Sequence, residues 1–470
     1  MIKFGTSGFR AVMNENFTKE NVQKIAYALC KLINEEGEKK PIIHLGFDNR
    51  FMGEFYARWV SEVFAYNKIK VIFYQHSTPT PVIAFMSKSN TLGIVLTASH
   101  NPYYYNGIKV LKNGGDISDD FAKKVEKIAN SVKKVDYQDF DEAVKAKHII
   151  FAPDAIDYEN SILSFLSKTK IAKRSPKILF NSMHGNSVEY IRSICSKLKL
   201  KNYEIMNSSV DPYFEHNLPA PYLQNLTKQR DRVVAEKFDL GLALDGDSDR
   251  ITCISDKGEI YDCNYILPLL YNYLYEVKNF RGGVIRNTAF SNLIKYVADS
   301  NNEESYTSKV GFKHIAELFY NTNAFIGAET NGVAIKKHLY NKDGILAGFL
   351  LIDMICHHQK QLSEILETLQ AKFSYPSKVY EFSYPITEKK KAEIQNKVFI
   401  EKQVPKFKRK LENIIYPDGA KFIFEKGYWC MIRFSGNENV VRLFTELEDD
   451  ESCNKMFALL ERFIGVKERQ

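Results

Sequence analysis

At 470 residues, 44% hydrophobic and 26% charged with a net charge of +8, the chain is too long for one core and predicts three or four domains of about 100 to 150 residues each. The mix of apolar and charged residues excludes a disordered polymer. The positive excess is small and spread along the chain and suits a small anionic substrate drawn into a cleft; the densest basic run, Lys389-Lys390-Lys391, reads as a solvated helix face and does not argue for nucleic acid, so no nucleic-acid partner is expected.

Phe4-Gly5-Thr6-Ser7-Gly8-Phe9-Arg10 comes first. Its glycines let backbone approach a ligand, and Arg10 has the planar fork that holds phosphate through two hydrogen bonds. Val22, Ile25, Ala26, Leu29 and Ile33 recur at helical spacing and predict an amphipathic helix whose stripe is core. Strands are predicted at 42–47 and 71–74 with a helix over 54–66 between them, an order that defines an α/β unit over 1–147. Asp48-Asn49-Arg50 ends the first of these strands, and Arg50 reads either as a structural ion-pair partner or as a support for the site. The apolar run Leu92-Gly93-Ile94-Val95-Leu96 is a buried strand, and Asn101-Pro102 breaks the chain into a loop after it. Ser99 therefore sits just past the C-terminal end of a strand, where open α/β sheets place catalytic groups, with His100 beside it and Lys109 further on. The string Thr97-Ala98-Ser99-His100-Asn101-Pro102, followed by Asn106-Gly107-Ile108-Lys109, resembles the phosphoserine loop of the α-D-phosphohexomutases, the family of phosphoglucomutase, phosphomannomutase and phosphoglucosamine mutase.

A second unit is predicted over 148–257, with a strand at 177–180, a turn at Met183-His184-Gly185 and a helix over 188–198. Its apolar run Leu240-Gly241-Leu242-Ala243-Leu244 delivers Asp245-Gly246-Asp247-Ser248-Asp249-Arg250. Three carboxylates at alternate positions on one short loop can aim their oxygens at a common hard cation, Mg²⁺ or Ca²⁺. Without a cation they repel one another. An EF-hand is excluded, because its sixth position needs glycine and its twelfth glutamate, and those positions hold Arg250 and Asp256. In the family that this loop resembles, the three aspartates and the phosphoserine share one Mg²⁺, and the following arginine, here Arg250, faces the substrate.

A third unit is predicted over 258–371, with a strand at 283–286, a helix over 290–298 and a core helix over 345–355. Thr307-Ser308-Lys309-Val310-Gly311-Phe312-Lys313-His314 resembles the family's third-domain loop, in which a lysine reaches the phosphate; Lys309 and Lys313 both qualify. Gly327-Ala328-Glu329-Thr330-Asn331-Gly332 falls where the family carries its sugar-reading loop. Glu329 can accept from two vicinal hydroxyls, whereas Asn331 stands where serine is usual and Val333 where several subfamilies have histidine. His338-Leu339-Tyr340-Asn341-Lys342-Asp343-Gly344 resembles the text of bacterial phosphoglucomutase-type members, which implies substrate-binding roles for His338 and Lys342.

After a linker at 372–377, the stretch 372–470 reads as a smaller α+β unit. Within it, Arg433-Phe434-Ser435-Gly436-Asn437-Glu438-Asn439 separates two predicted strands, and an arginine, a hydroxyl and a glycine so placed can wrap a phosphate. The family text here is Arg-Pro-Ser-Gly-Thr-Glu-Pro. Arg433, Ser435, Gly436 and Glu438 match it; Phe434, Asn437 and Asn439 depart, although Asn437 keeps an amide donor. Seven cysteines, scattered and without a Cys-x-x-Cys pair, argue against a disulfide framework and fit a reducing cytoplasm. No signal-peptide stretch and no apolar run of the roughly 18 residues that a membrane span needs is visible, so a soluble cytoplasmic protein without a membrane partner is expected.

The resemblance covers essentially the whole chain, with the four motifs in the family's order. It implies three similar α/β/α mixed-sheet domains around a central cleft plus the small C-terminal α+β domain, in a monomer or dimer. It also implies a mutase that moves a phosphoryl group between hexose 1-phosphate and hexose 6-phosphate through a seryl phosphate on Ser99, with Mg²⁺ held by Ser99, Asp245, Asp247 and Asp249. Lys109, Arg10 and His100 are expected to handle the proton and the developing charge, Lys109 only if its pKa is lowered. Arg433, Ser435, Gly436, Asn437 and Arg442 are expected to clamp the distal phosphate, and hexose 1,6-bisphosphate is the expected activator. The sugar is expected to be glucose or mannose; glucosamine, or a sugar-phosphate-binding homologue of little activity, is the alternative.

Overall fold

The computed structural model describes residues 1–5, 8–37, 41–88, 91–435 and 439–466. Four sheets follow one another along the chain. The first contains β1 (Phe9–Val12), β2 (Ile42–Phe47), β3 (Lys70–Phe73), β4 (Leu92–Leu96), β5 (Tyr105–Lys112), β6 (Gly115–Asp116) and β7 (Ile149–Phe151), in the order β1-β5-β4-β2-β3-β7 with β6 beside β5. The second contains β8 (Ile178–Asn181), β9 (Tyr203–Met206), β10 (Leu240–Leu244), β11 (Ile251–Ser255) and β12 (Ile260–Tyr261), in the order β12-β11-β10-β8-β9. The third contains β13 (Val284–Asn287), β14 (Ser305–Ser308), β15 (Ile326–Glu329) and β16 (Gly332–Ile335), in the order β14-β13-β15-β16. The fourth contains β17 (Lys378–Pro385), β18 (Leu411–Ile415), β19 (Ala420–Phe424), β20 (Trp429–Phe434) and β21 (Val440–Leu447), antiparallel throughout in the order β17-β21-β20-β19-β18.

The first three sheets repeat one plan. In each, two parallel strands are joined by a third parallel strand and then by its antiparallel hairpin partner, giving β3-β2-β4-β5, β9-β8-β10-β11 and β14-β13-β15-β16. The turns that close these hairpins carry Ser99, the aspartates of 245–249, and Asn331. The parallel strands are covered on both faces and so must be apolar throughout; β4 and β10 are buried at every residue. The first polar residues after each strand therefore mark the edge of the core, where sites form in such sheets.

Helices Lys19–Glu35 and Gly53–Tyr66 pack against each other in the first unit. Helix Gly344–His358 is buried from Gly344 to Cys356 and lies against β10, β11 and β16, joining the second and third units. One apolar core runs from the second to the fourth unit and takes in the short helix Thr80–Met86 with Tyr74, Val95 and Leu111 of the first, while most of the first unit's buried apolar residues form a core of their own. The architecture is thus the expected one, three mixed-sheet α/β/α units and a smaller antiparallel α+β unit. Two short strands cross the expected boundaries: β7 pairs with β3 and β12 with β11, so the first sheet reaches Phe151 and the second Tyr261 rather than ending at 147 and 257. Each of them satisfies backbone groups that an open sheet edge leaves unpaired. The seven cysteines are buried and unpaired, and among the described residues no helix is long and apolar enough to cross a membrane.

Candidate active site

The serine loop leaves β4 and is held from beneath. Ser99 has φ +49°, a left-handed conformation that a non-glycine residue keeps only when its surroundings impose it. Thr97 Oγ1 accepts from Ser99 N at 2.8 Å and donates to Asp48 Oδ2 at 2.6 Å. Arg50 is buried under the loop: Nη2 donates to Ser99 O and Asn101 O at 2.7 and 2.6 Å, Nη1 to Pro102 O and Tyr105 O at 2.7 and 3.0 Å, and Nε to Asp48 Oδ2 at 3.2 Å. Both readings of Arg50 hold, since it is the ion-pair partner of Asp48 and a support for the loop. Burial pushes the Asp48 carboxyl up to about 6, against the pull of Arg50 and Thr97.

From the second unit β10 delivers the aspartates. Ser99 Oγ donates to Asp245 Oδ2 at 2.9 Å, so the first and second units meet at the two residues that sequence resemblance puts on one metal. Asp245, Asp247 and Asp249 each offer an oxygen within 4.8 Å of the others, and all three are buried. Lys109 Nζ lies 2.7 Å from Asp249 Oδ2 and 3.4 Å from Asp247 Oδ2, and Lys342 Nζ lies 3.3 Å from Asp249 Oδ2. Arg250 Nε stands 3.7 Å from Asp245 Oδ2 and 3.8 Å from Asp249 Oδ1. Among the described residues, buried Asp247 Oδ1 and Asp249 Oδ1 have no hydrogen-bond partner. Buried carboxylate oxygens without a hydrogen-bond donor, in a trio that offers oxygens within 4.8 Å of one another, fit a hard divalent cation such as Mg²⁺.

The electrostatics agree. Burial and the charges of Asp247 and Asp249 push the Asp245 carboxyl well above the usual carboxylate range. Burial opposes ionisation of Asp249 too, but Lys109, Lys342 and Arg250 outweigh it and hold that carboxyl low. Lys109 is subject to opposed influences. Burial alone depresses its pKa, yet Asp249 and Asp247 more than compensate and raise it, the reverse of the lowering that a proton-handling lysine needs. His100 is the opposite case: burial, then Arg250, Arg10 and Lys342, lower its pKa well below the ordinary value and keep the ring neutral. Its Nδ1 is 3.4 Å from Ser99 Oγ. Arg10 reaches the same loop through Nη1 to Asn101 Oδ1 at 3.0 Å.

The remaining expected residues divide. Glu329 Oε1 accepts from Gly311 N at 2.5 Å, and Asn331 O accepts from Ile251 N at 3.0 Å, which docks the sugar loop beside the aspartate loop. Val333 is buried in the core. Arg433 and Arg442 are cross-strand partners on β20 and β21; Arg433 Nε pairs with Asp418 Oδ2 at 3.0 Å and Arg442 Nη1 with Glu381 Oε1 at 2.8 Å. Ser435 N donates to Val440 O at 2.9 Å, while Gly436 and Asn437 lie outside the described residues. Lys309 is exposed, and Lys313 is paired with Asp119 of the first unit. His338 corrects the expectation outright. Both of its ring nitrogens are taken, by Ser161 Oγ at 2.7 Å and Asp343 Oδ2 at 2.9 Å, and it is buried among Phe85, Tyr158 and Phe165, where it joins units instead of facing a substrate. Sequence reasoning passes over Thr80, whose Oγ1 donates to Asp247 Oδ2 at 2.7 Å and whose N–H donates to Asp247 O at 3.0 Å. Its setting, Thr78-Pro79-Thr80-Pro81, signals no more than a turn into a helix.

The comparisons bear on the same features. Models of the phosphoglucomutase/phosphomannomutase alpha/beta/alpha domains I, II and III match residues 1–136, 157–258 and 262–373. The chain is 28% identical to the phosphoglucomutase/phosphomannomutase of Thermococcus kodakarensis over 97% of either protein. It is 26% identical to the phosphoglucosamine/phosphogalactosamine mutase of Sulfurisphaera tokodaii over 99% of either. Among solved structures, a Thermus thermophilus protein assigned as a phosphomannomutase superposes with a TM-score of 0.86 at 24% identity, covering 99% of both chains. The N-acetylphosphoglucosamine mutase of Aspergillus fumigatus, solved with GlcNAc-6P and magnesium, superposes at 0.56 with 14% identity, covering 99% of this chain and 95% of that one. The fold and the matched domains define a phosphotransferase mutase of carbohydrate metabolism. The chain belongs to the phosphoglucomutase/phosphomannomutase family.

Proposed function

We propose that this enzyme interconverts hexose 1-phosphate and hexose 6-phosphate, with glucose or mannose as the hexose, through a phosphorylated Ser99 and a hexose 1,6-bisphosphate. The observation that carries the reading is the 2.9 Å approach of Ser99 Oγ to Asp245 within the acidic trio. A seryl phosphate adds about −1.5 to −2 charges beside three carboxylates, which is tolerable only with a divalent cation between them. Asp245, Asp247 and Asp249, with a phosphoryl oxygen on Ser99, are the ligands that would hold Mg²⁺. When bound, Mg²⁺ supplies neutralisation of the phosphoryl oxygens and alignment for in-line displacement.

The chain's own groups do the rest. The bond from phosphorus to Ser99 Oγ breaks as a bond forms to the free hydroxyl oxygen of the substrate, and the hydroxyl proton passes to a neighbouring base. His100, whose Nδ1 lies 3.4 Å from Ser99 Oγ, is placed to take it. Lys109, Arg10 and Arg250 contribute positive charge around the transfer. Glu329 and Asn331 read the sugar hydroxyls. Arg433, Ser435, Gly436, Asn437 and Arg442 hold the distal phosphate, with Lys309 from the third unit. The bisphosphate then turns over, and its other phosphoryl group returns to Ser99; free bisphosphate primes an unphosphorylated enzyme.

The name of the Thermococcus relative supports glucose and mannose, and that of the Sulfurisphaera relative points to amino sugars. Coupled assays with glucose 1-phosphate, mannose 1-phosphate and glucosamine 1-phosphate, each with Mg²⁺ and catalytic bisphosphate, decide the ranking. Faster turnover of the first two is expected, and equal or faster turnover of the third reverses the assignment. Ser99→Ala is expected to abolish phosphoryl exchange with the fold retained; exchange that survives in this variant refutes the nucleophile.

A further inference from the structure

Asp418 stands between the sugar loop and the phosphate clamp and belongs to neither motif. It precedes Gly419, which has φ +149° and no room for a side chain, since a Cβ there would lie 2.6 Å from Met431 Cε and 2.7 Å from Ile432 O. That close approach presses the turn onto β20 and sets the Asp418 carboxylate beside Arg433, whose Nε donates to Oδ2 at 3.0 Å. The same oxygen accepts from Val310 N, in the third unit, at 3.0 Å. The next N–H, that of Gly311, goes to Glu329 Oε1. Two consecutive backbone donors on one loop are therefore held by two carboxylates, one from the sugar loop and one from the fourth unit. Elsewhere the third and fourth units meet through a buried network in which Glu446 accepts from Ser291 Oγ, Asn292 N and Trp429 Nε1. Asp418 is different in kind, because its side chain is 24% exposed.

We propose that Asp418 is a positioning residue: by holding Arg433 Nε and Val310 N on one oxygen, it aims the Arg433 guanidinium at the distal phosphate and couples that clamp to the loop that supports Glu329. This rests on the assignment of Arg433 to the phosphate made above. An arginine anchored through Nε presents its two Nη atoms as a fork, the geometry that phosphate accepts. Without the anchor the charge remains but its aim is lost. The loss falls on binding of the phosphate, which substrate and transition state share, and spares the chemistry at Ser99.

The test uses the full-length enzyme with Mg²⁺ and bisphosphate, as Asp418→Ala, Asp418→Asn, Arg433→Ala and the Asp418→Ala/Arg433→Ala double variant. For Asp418→Ala, KM for hexose 1-phosphate is expected to rise about 10-fold with kcat changed less than about threefold, the loss of one charge-assisted hydrogen bond. Asp418→Asn, which keeps an acceptor without the charge, is expected to show a smaller rise, and it serves as the probe if the alanine variant fails to fold. The double variant is expected to be no worse than Arg433→Ala alone. Transfer from phosphorylated Ser99 to an unphosphorylated hexose, which offers the clamp nothing, is expected to proceed at the parent rate. The inference is overturned if Asp418→Ala keeps the parent KM while Arg433→Ala does not, if the two effects multiply in the double variant, or if transfer to the unphosphorylated hexose falls as far as transfer to hexose phosphate. A parent-like KM in Arg433→Ala is a separate result that removes the clamp assignment itself.

Discussion

Replacing Arg50 by lysine asks whether one guanidinium holds the serine loop in place. Arg50 serves five acceptors, the Asp48 carboxylate and the carbonyls of Ser99, Asn101, Pro102 and Tyr105, at 2.6 to 3.2 Å. A lysine ammonium has three donors. At least two of these acceptors lose their partner, and a buried acceptor left unpaired costs about 1 to 3 kcal/mol, so the loop is expected to lose about 2 to 6 kcal/mol of local stability. Hydrogen exchange of the 97–105 amides, followed by mass spectrometry, reads this directly. Protection is expected to fall by about 30-fold or more, because each 1.4 kcal/mol is a factor of ten. With the left-handed Ser99 no longer held, uptake of a phosphoryl group from hexose bisphosphate is expected to fall with it. Unchanged protection together with parent-like phosphorylation of Ser99 would refute the argument that the guanidinium sets the position of the nucleophile.

Three further outcomes are expected. Chelation is expected to abolish turnover, and restored Mg²⁺ to recover it and raise the melting temperature, as binding to the folded state alone requires; a melting temperature indifferent to Mg²⁺ removes the aspartate trio as a metal site. Gly185→Ala would place a Cβ 2.8 Å from Gly246 O and Ser182 O and 2.9 Å from Asp245 O, which displaces the aspartate loop at a cost of about 1 to 3 kcal/mol and weakens Mg²⁺ binding in a titration; parent-like affinity and stability count against that packing. Burial raises the Glu62 carboxyl from 4.5 to about 7, and Oε2 has no hydrogen-bond partner among the described residues. Because the folded-state pKa is the higher one, stability is lost as pH rises from the unfolded-state value to about 7, so Glu62→Gln is expected to gain about 1 to 3 kcal/mol at pH 8 and nothing at pH 4. Parallel stability profiles for the two proteins across that range contradict it.

The parts of this enzyme that the sequence determined are those whose causes are local. Leu92–Leu96 and Leu240–Leu244 are apolar at every position, so their burial and the point where each releases a polar loop follow from the chain itself. Helix Val188–Leu198 and the three alternate aspartates are local patterns of the same kind. The tertiary structure alone decided which distant groups meet. Thr80 and Asp247 are 167 residues apart, Asp418 and Val310 108 apart, and nothing in their neighbours' identities signals either pairing. His338 shows the converse. Its motif resembles a substrate-binding text, but the helix that Asp343 caps and the packing of three aromatic rings turn the imidazole into the core. Protonation belongs to the same class, because the charge of Lys109 depends on Asp249 and Asp247, carried by a different sheet, and a field set by two chain segments cannot be read from either one.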